Sequence, residues 1–309
     1  MKRLDGGSAV PPELRGGIVA LGNFDGFHLG HQAVAGRAIS WAKTQGRPAI
    51  VATFDPHPVR YFRPDAPPFR LTTLDQRQRL FAEAGADAML VFHFDADLAG
   101  LPARAFARTR LVDRIGVGGV VTGDDFTFGK GRDGDVSVLH ALGEELGFGV
   151  ATVSPVADDG DIVSSSRIRE LLKQGRPRDA AALLTRPFAI EGVVEPGAKL
   201  GRELGFPTAN IRLVNYLRPR FGIYAVRGRL PDGRIVDGAA NLGIRPSFDP
   251  PVELLEPYFF DFSGDLYGQT IEVELIEYLR EEEKFDDLEA LKARMADDCE
   301  RAQKVLASI

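Results

Sequence analysis

The feature that most constrains the fold is a regular alternation of apolar runs and helix-period segments between Gly17 and Ser154. Helix-period segments such as Val136 to Leu146 end at glycine, which is typical of a helix C-terminus. This alternation predicts an α/β domain, in which helices cover a parallel sheet. The apolar runs predict five strands, namely Gly17 to Leu21, Ala49 to Phe54, Ala88 to Phe92, Gly119 to Thr122 and Gly149 to Val153.

After Arg186-Pro187 the sequence changes to β-rich segments separated by turns. Near the end of the chain, apolar residues recur at helical spacing from Leu288 onwards, which predicts a terminal helix over Phe285 to Ile309 packed on the β domain. Glu281-Glu282-Glu283 before it is interpreted as a solvated run. We therefore expect two domains, residues 1–186 and 187–309. The strands predicted in the second are Phe188 to Glu195, Gly222 to Leu230, Arg234 to Ala240 and Thr270 to Tyr278.

Composition excludes several classes of protein. With 44% hydrophobic and 27% charged residues, the chain is typical of soluble globular proteins. A net charge of -6 argues against a general polyanion binder, so nucleic acid is not expected as a partner. Cys299 is the single cysteine, which excludes an internal disulfide and fits a reducing compartment. Without an apolar run of about 18 residues or a secretory leader, we expect a cytoplasmic protein with no membrane partner.

A glycine-rich turn, Leu21-Gly22-Asn23-Phe24-Asp25-Gly26-Phe27-His28-Leu29-Gly30-His31, follows the first apolar run. Glycines let the backbone approach an anion, and the N–H groups of a helix start carry partial positive charge. His28 and His31 are expected on one helical face, where imidazoles can donate to phosphate oxygens. A strand-to-helix turn with two surface histidines is the alternative. The phosphate-binding interpretation is favoured by the flanking residues Gly22, Asn23, Asp25 and Gly26.

Three further polar segments are expected at strand ends or a helix start of the same domain, where open sheets bind ligands. Asp55 and His57 lie on a proline-stiffened loop, which alone is a rigid turn. Asp124-Asp125 offers paired carboxylates, and these either cap a turn or hold ribose, adenine or a metal-bound phosphate. Ser164-Ser165-Ser166-Arg167-Ile168-Arg169 is either an N-cap by Ser166 with solvent-facing arginines or a phosphate clamp.

His28-Leu29-Gly30-His31 resembles the HxGH signature of nucleotidyltransferases, and roughly the first 185 residues resemble the adenylyltransferases that make FAD from FMN. The resemblance implies a Rossmann-like nucleotidyltransferase domain. It implies that His28 and His31 stabilise phosphate charge while Ser165 and Arg169 hold the leaving pyrophosphate. Magnesium would neutralise further charge. Additional nucleotide or phosphate contacts are expected from Gly22, Asn23, Asp25, Gly26, His57, Asp125 and Ser164.

The second domain opens with glycines interleaved with basic residues. Gly197, Lys199, Gly201 and Arg202 predict an anion-receptive loop. Thr208 and Asn210 then offer two neutral oxygen ligands, which suit a partly hydrated Mg²⁺. A β-bulge or hairpin with surface charges is the alternative. The run from Gly192 resembles the riboflavin kinase motif that ends in Pro207-Thr208-Ala209-Asn210, and this resemblance continues to the C-terminus.

Two later segments match the same kinase family. Asn241 to Ser247 would otherwise be interpreted as a turn, and Glu256 to Phe262 as an edge strand with alternating aromatic residues. The resemblance implies a C-terminal β-barrel in which Glu256 is the general base for the riboflavin 5′-hydroxyl, with Asn241 and Arg245 in the flavin site. Tyr258 departs from the family, which usually has histidine there.

Nearly the whole chain is similar to the bacterial bifunctional riboflavin kinases/FAD synthetases. This resemblance implies that riboflavin and ATP give FMN, and that FMN and a second ATP give FAD and pyrophosphate, both with Mg²⁺. One alternative is a chain in which one module has lost its chemistry, although both signatures look intact. The other is a flavin-sensing protein, but binding alone would require neither a base nor a phosphate clamp. The oligomeric state is not predicted.

Overall fold

A computed structural model of the chain describes residues 1–197, 205–245, 252–285 and 287–309. Contacts between Cα atoms divide it into two compact units. The first comprises Met1–Pro67 and Leu74–Ser164, and the second comprises Pro68–Thr73 and Ser165–Ile309. The division of the chemical modules after residue 186 stays a prediction. Within the described ranges, no helix combines the length and the apolar character needed to cross a bilayer.

The first unit is built on a six-stranded, all-parallel sheet with the order β1-β4-β3-β2-β5-β6. From β2 the chain adds β3 and β4 on one side, and it then returns to add β5 on the other side of β2. At such a reversal of the strand order, a crevice opens at the carboxyl ends of the strands. The five predicted strands are confirmed to within one residue at each end. Sequence analysis missed β1, which is short and mostly charged. The strands are β1 (Lys2–Asp5), β2 (Ile18–Leu21), β3 (Ala49–Asp55), β4 (Ala88–His93), β5 (Gly119–Gly123) and β6 (Gly149–Val153).

Both faces of this sheet are buried by helices. Along β2, Val19 and Leu21 belong to one apolar cluster while Ile18 and Ala20 belong to the other, as the two-residue period of a strand requires. A short hairpin of β7 (Ala157–Asp158) and β8 (Asp161–Ile162) follows. The helices are α1 (Leu29–Gln45), α2 (Pro58–Phe62), α3 (Leu74–Glu83), α4 (Ala96–Ala99), α5 (Ala103–Phe106) with its π-helical continuation Ala107–Ile115, and α6 (Val136–Leu146).

The second unit contains a closed antiparallel barrel with the strand order β10-β13-β12-β11-β14-β9. The alternative interpretation of Asn241 to Ser247 as a turn is wrong for Asn241–Arg245, because these residues form the end of β12; Pro246 and Ser247 lie outside the described residues. The alternative interpretation of the segment from Glu256 as an edge strand is also wrong, since β13 pairs on both sides. The elements are α7 (Ser165–Lys173), α8 (Pro177–Leu184), β9 (Phe188–Glu195), β10 (Asn210–Arg212), β11 (Gly222–Arg229), β12 (Ile235–Arg245), β13 (Val252–Phe259), β14 (Thr270–Arg280) and α9 (Leu288–Leu306).

The terminal helix α9 packs on the barrel through Ala302 and Leu306, which join an apolar cluster with Ala225 and Ala239. The predicted face is confirmed at Ala302 and Val305, but at its N-terminal end Leu288 is 57% exposed, and the buried Asp298 was not predicted. Asp298 accepts two hydrogen bonds from the Arg280 guanidinium at the end of β14, at 2.8 and 2.6 Å. A buried carboxylate needs such a partner, so this bidentate pair sets the helix against the strand.

Candidate active sites

The turn after β2 is held by its own aromatic residues. Phe24 and Phe27 adopt positive φ angles of 49° and 44°, a conformation that is strained for bulky side chains. Both rings are buried and contact Phe81 of α3, with centroids 5.7 and 5.0 Å apart. Burial of these rings offsets the backbone strain, and the turn therefore delivers His28 to the start of α1 in a defined position.

His28 caps α1. Its Nδ1 accepts a hydrogen bond from the backbone N–H of His31 at 3.4 Å, and the two imidazoles stack with centroids 3.6 Å apart. A neutral imidazole that accepts at Nδ1 carries its proton on Nε2, so His28 can donate from Nε2. Two histidines therefore lie side by side at a helix N-terminus, which is a setting that favours anions. Their placement on one side of the first turn agrees with the sequence prediction.

Sequence analysis missed Arg77, a buried cation on α3 that is only 3% exposed. Its Nη1 donates to the carbonyl oxygen of Asn23 at 3.2 Å and to Oγ1 of Thr53 at 2.9 Å. The Thr53 hydroxyl in turn donates to the same Asn23 oxygen at 2.7 Å. Arg77 also lies 4.0 Å from the carboxylate of Asp55. These contacts join the carboxyl ends of β2 and β3, so Arg77 and Thr53 hold the backbone of the glycine-rich turn at Asn23.

Removing the Thr53 hydroxyl is expected to destabilise the first unit. In Thr53→Val the shape is kept, but a buried guanidinium N–H loses its acceptor, so the free energy of unfolding should fall by about 1–3 kcal/mol. Trp41, the sole tryptophan, packs over Gly119 and Gly149, and its fluorescence reports on this unit during urea unfolding.

Thr122→Val on β5 is the matched control. The Thr122 side chain is equally buried, but its Oγ1 has no hydrogen-bond partner within the part of the chain that the structure describes. Its replacement should leave the stability unchanged or raise it, because no hydrogen bond is lost and a buried hydroxyl is removed. Equal losses in the two variants would contradict the support role of Thr53.

The loops after β3 and β5 place the other predicted residues of this unit. His57 caps the short helix α2 through a bond from the Val59 N–H to Nδ1 at 3.1 Å. Asp124 accepts from the Ser154 hydroxyl at 2.8 Å, and hydrogen bonds from Thr152 and Ser154 lower its carboxyl pKa. Both carboxylates are exposed, but Asp124 is held by Thr152 of β6 and by Ser154 after it, which agrees with a structural role. The nucleotide-binding roles of His57 and Asp125 stay predictions.

The serine and arginine segment begins α7. The helix starts at Ser165, so Ser166 lies in its first turn and the predicted N-cap at Ser166 is wrong. Arg169 does not simply face solvent either. Its Nε donates to the carbonyl oxygen of Phe69 at 2.8 Å, and its guanidinium lies 5.2 Å from the centre of the Phe69 ring. This contact orients Arg169; the expected phosphate contacts of Ser164, Ser165 and Arg169 stay predictions.

In the second unit, three predicted site residues lie in one row across neighbouring strands. Asn241 of β12 is directly opposite Glu256 of β13. The pairing of Ile211 with Leu255, continued by one residue, places Asn210 of β10 opposite Glu256 on the other side. Residues opposite one another in antiparallel strands share a face of the sheet. Barrel closure therefore brings together an amide, a carboxylate and a second amide from segments far apart in sequence.

The carboxylate of Glu256 is largely buried, with only 14% of its side chain exposed. It forms an ion pair with Arg245 and accepts a hydrogen bond from Nδ2 of Asn241 at 3.4 Å. A carboxylate contacted from two sides has a restricted orientation. The flavin contacts of Asn241 and Arg245 stay predictions. What the structure shows is that both residues contact the carboxylate of Glu256 and restrict its orientation.

The residues predicted to hold magnesium fit a site beside a glycine loop. A Cβ added at Gly197 would lie 2.4 Å from Nδ2 of Asn210, so the loop backbone passes directly over this amide. Thr208 and Asn210 provide neutral oxygens, which suit Mg²⁺ that keeps water and phosphate ligands. Among the described residues, no group of three His, Cys, Asp or Glu could hold a metal ion. The predicted Lys199, Gly201 and Arg202 lie outside the described residues.

All three side chains of Glu281-Glu282-Glu283 are exposed, which agrees with the interpretation as a solvated run, but each also makes a specific contact. Glu281 pairs with Arg220, and Glu283 lies 3.5 Å from Nε of Arg294. Glu282 accepts from Nδ2 of Asn241 at 3.1 Å and so reaches the row that contains Glu256. Three successive glutamates look alike in the sequence, so no local signal could have selected Glu282.

Comparisons with known proteins also divide the chain into two regions. Family models described as FAD synthetase and riboflavin kinase match residues 10–167 and 184–306. A bifunctional riboflavin kinase/FMN adenylyltransferase of Escherichia coli (strain K12) is 38% identical over 291 residues, which are 94% of this chain and 92% of the relative. The protein of that description from Pseudomonas fluorescens is 40% identical over 297 residues, covering 96% and 95%.

A solved structure shows the fold across both regions. It is the crystal structure of a protein described as a macrolide-efflux protein from Streptococcus pneumoniae, with a TM-score of 0.85 and 28% sequence identity. The alignment covers 96% of this chain and 97% of that chain. The order of an α/β region followed by a barrel is therefore shared over nearly the whole length.

Proposed function

The chain belongs to the family of bifunctional riboflavin kinase/FMN adenylyltransferases, and we propose that each activity has its own site, one around His28 and His31 and the other around Glu256. The kinase activity converts riboflavin and ATP into FMN and ADP. The adenylyltransferase activity converts FMN and ATP into FAD and pyrophosphate. The observation that carries the assignment is the match of two separate family models to successive parts of the chain.

In the kinase reaction, Glu256 accepts the proton of the riboflavin 5′-hydroxyl. The hydroxyl oxygen bonds to the γ-phosphorus of ATP, and the bond from this phosphorus to the departing ADP oxygen breaks. Contacts with Asn241 and Arg245 support this role, because they orient the carboxylate before substrate binds. Thr208 and Asn210 would hold Mg²⁺, which when bound neutralises phosphate charge. Gly197, Lys199, Gly201 and Arg202 would contact the nucleotide.

In the adenylyl transfer, an oxygen of the FMN phosphate bonds to the α-phosphorus of ATP while pyrophosphate leaves. This nucleophile carries no proton that must be removed, so the site requires positioning and charge stabilisation rather than a base. Nε2 of His28, His31 and the N-terminus of α1 supply donors for the phosphates. Ser165 and Arg169 would hold the leaving pyrophosphate. The remaining nucleotide contacts are assigned to Gly22, Asn23, Asp25, Gly26, His57, Asp125 and Ser164.

An assay with three components tests the proposal. The full-length protein is incubated with riboflavin, ATP and MgCl₂, and the flavins are separated by chromatography. FMN should form first and FAD should follow, and chelation of the metal with EDTA should suppress both products because ATP phosphate charge is then not neutralised. Binding of flavin by the folded protein without either product would overturn the proposal in favour of a flavin-sensing protein.

A further inference from the structure

We propose that Glu282 is a positioning residue of the kinase reaction, which holds the Asn241 amide and through it the carboxylate of Glu256. The inference rests on the proposed role of Glu256 as the base. Glu282 lies beyond the end of β14, and nothing in its sequence neighbourhood separates it from the glutamates on either side. Its contacts in the barrel distinguish it from them.

The amide nitrogen of Asn241 lies between two carboxylates. Nδ2 is 3.1 Å from Oε1 of Glu282 and 3.4 Å from Oε2 of Glu256. An amide NH₂ has two hydrogens, so both can be donated at once. The reversed orientation of the amide would put its oxygen against two carboxylates, which is repulsive. Glu282 therefore fixes which end of the Asn241 amide faces the base.

A glycine makes room for this contact. Gly243 is two residues beyond Asn241 on β12, and therefore lies on the same face of the strand. A Cβ at Gly243 would be 2.1 Å from Oε1 of Glu282, closer than any two such atoms can approach. The Glu282 carboxylate thus lies directly on the strand backbone. This close approach is an observation separate from the hydrogen bond to Asn241.

The chain that carries Glu282 is itself anchored. Arg280 is held by the buried Asp298 of α9, and its Nη1 donates to the carbonyl oxygen of Glu281 at 2.8 Å. Glu281 forms an ion pair with Arg220. These contacts fix the two residues before Glu282, so the terminal helix contributes to the geometry of the kinase site although it supplies no reacting group.

Loss of the acceptor at position 282 should release the Asn241 amide. Of the two contacts that the described residues make with Glu256, the ion pair with Arg245 then remains, and the carboxylate can turn away from the 5′-hydroxyl. If the Glu256 carboxylate spends less time within hydrogen-bond reach of the 5′-hydroxyl proton, kcat falls. ATP binding does not use this contact, so KM for ATP should change little.

The test compares variants of the full-length enzyme in FMN formation. Glu282→Ala should lower kcat about tenfold, the usual effect of one lost hydrogen bond to a charged group, with KM for ATP within about twofold of the wild type. Glu282→Gln keeps an oxygen that can accept from Asn241 and should stay within about threefold of the wild-type kcat. Unchanged kcat in Glu282→Ala, or an equal loss in Glu282→Gln, would overturn the inference.

Gly243→Ala tests the same contact by a second substitution. Its methyl group would displace the Glu282 carboxylate and should lower kcat about tenfold as well. In the double variant Gly243→Ala/Glu282→Ala, the methyl group has no carboxylate to displace, so no further loss is expected. If the loss of kcat in the double variant were the product of the two single losses, Gly243→Ala would not act through Glu282, and the inference would be refuted.

Glu283→Ala is the matched control, because it removes a charge from the same run but contacts Arg280 and Arg294 instead of Asn241. Its kcat should equal that of the wild type, and a tenfold loss there would show a general charge effect and overturn the inference. Every variant should still convert supplied FMN into FAD. A wild-type protein without FMN formation would instead refute the proposed kinase activity itself.

Discussion

Glu256→Gln is expected to lower FMN formation from riboflavin by about 10²- to 10⁴-fold. Glutamine has the shape of glutamate and can still contact Arg245 and Asn241, but its amide cannot accept the proton of the 5′-hydroxyl. Formation of FAD from supplied FMN should continue at the wild-type rate, because an FMN phosphate oxygen needs no base. Chromatography of flavins, with riboflavin and FMN as alternative substrates, measures both rates.

Glu253→Gln on the same strand is the control for this change. Glu253 forms an ion pair with Arg218 at 2.6 Å and is not opposite Asn241 in the pairing of β12 and β13. Neither activity should change, because the substitution removes a charge from β13 but leaves the row around Glu256 intact. Equal loss of both activities in Glu256→Gln, or FMN formation at the wild-type rate, would contradict the assigned division of labour.

His28→Asn is expected to have the converse effect and to lower FAD formation by about 10²- to 10³-fold, as the loss of one donor to a developing phosphate charge does. Asparagine is a preferred N-cap residue, and its side-chain oxygen can replace Nδ1 as acceptor for the His31 N–H. The helix start is thereby preserved while the imidazole donor is lost. FMN formation from riboflavin, measured in the same preparation, should be unchanged.

Two variants separate catalysis from folding in that experiment. His28→Ala removes the cap together with the imidazole and should cost about 1 kcal/mol of stability, measured through Trp41 fluorescence, beyond the effect of His28→Asn. His140→Asn changes an exposed histidine on α6 and should leave FAD formation intact. Normal FAD synthesis by His28→Asn would remove His28 from its assigned role.

Local signals explain why much of the first unit could be predicted. Each central strand of a parallel sheet is buried on both faces and appears as an apolar run, so β2 to β5 can be recognised in the sequence. The edge strand β6 is half-buried, but its run Gly149–Val153 is also apolar enough to be recognised. Gly147 ends α6 in the left-handed conformation, as its position in the sequence indicates. Arg77 could not be found in this way. Its partners Asn23 and Thr53 are 54 and 24 residues away, and a helical arginine usually faces solvent.

The second unit shows the limit of local patterns more sharply. Asn241 to Arg245 resembles a turn, and the segment after Glu256 resembles an edge strand, because nothing near them in sequence indicates their pairing partners. Closure of the barrel supplies these partners, and it converts both segments into neighbouring strands. The aromatic alternation was a correct strand signal, but whether a strand has one neighbour or two is not encoded in its own period.

The sequence by itself determined which chemical groups this protein contains: a glycine turn with two histidines, a pair of neutral oxygens beside a glycine loop, and the carboxylate of Glu256, which the family resemblance assigns as a base. Only the tertiary structure decided which of these groups meet. Asn241 joins Glu256, 15 residues away, to Glu282, 41 residues away. The reason is physical, since hydrogen bonds depend on distances in space, and strand pairing brings together residues whose separation along the chain carries no periodic signal.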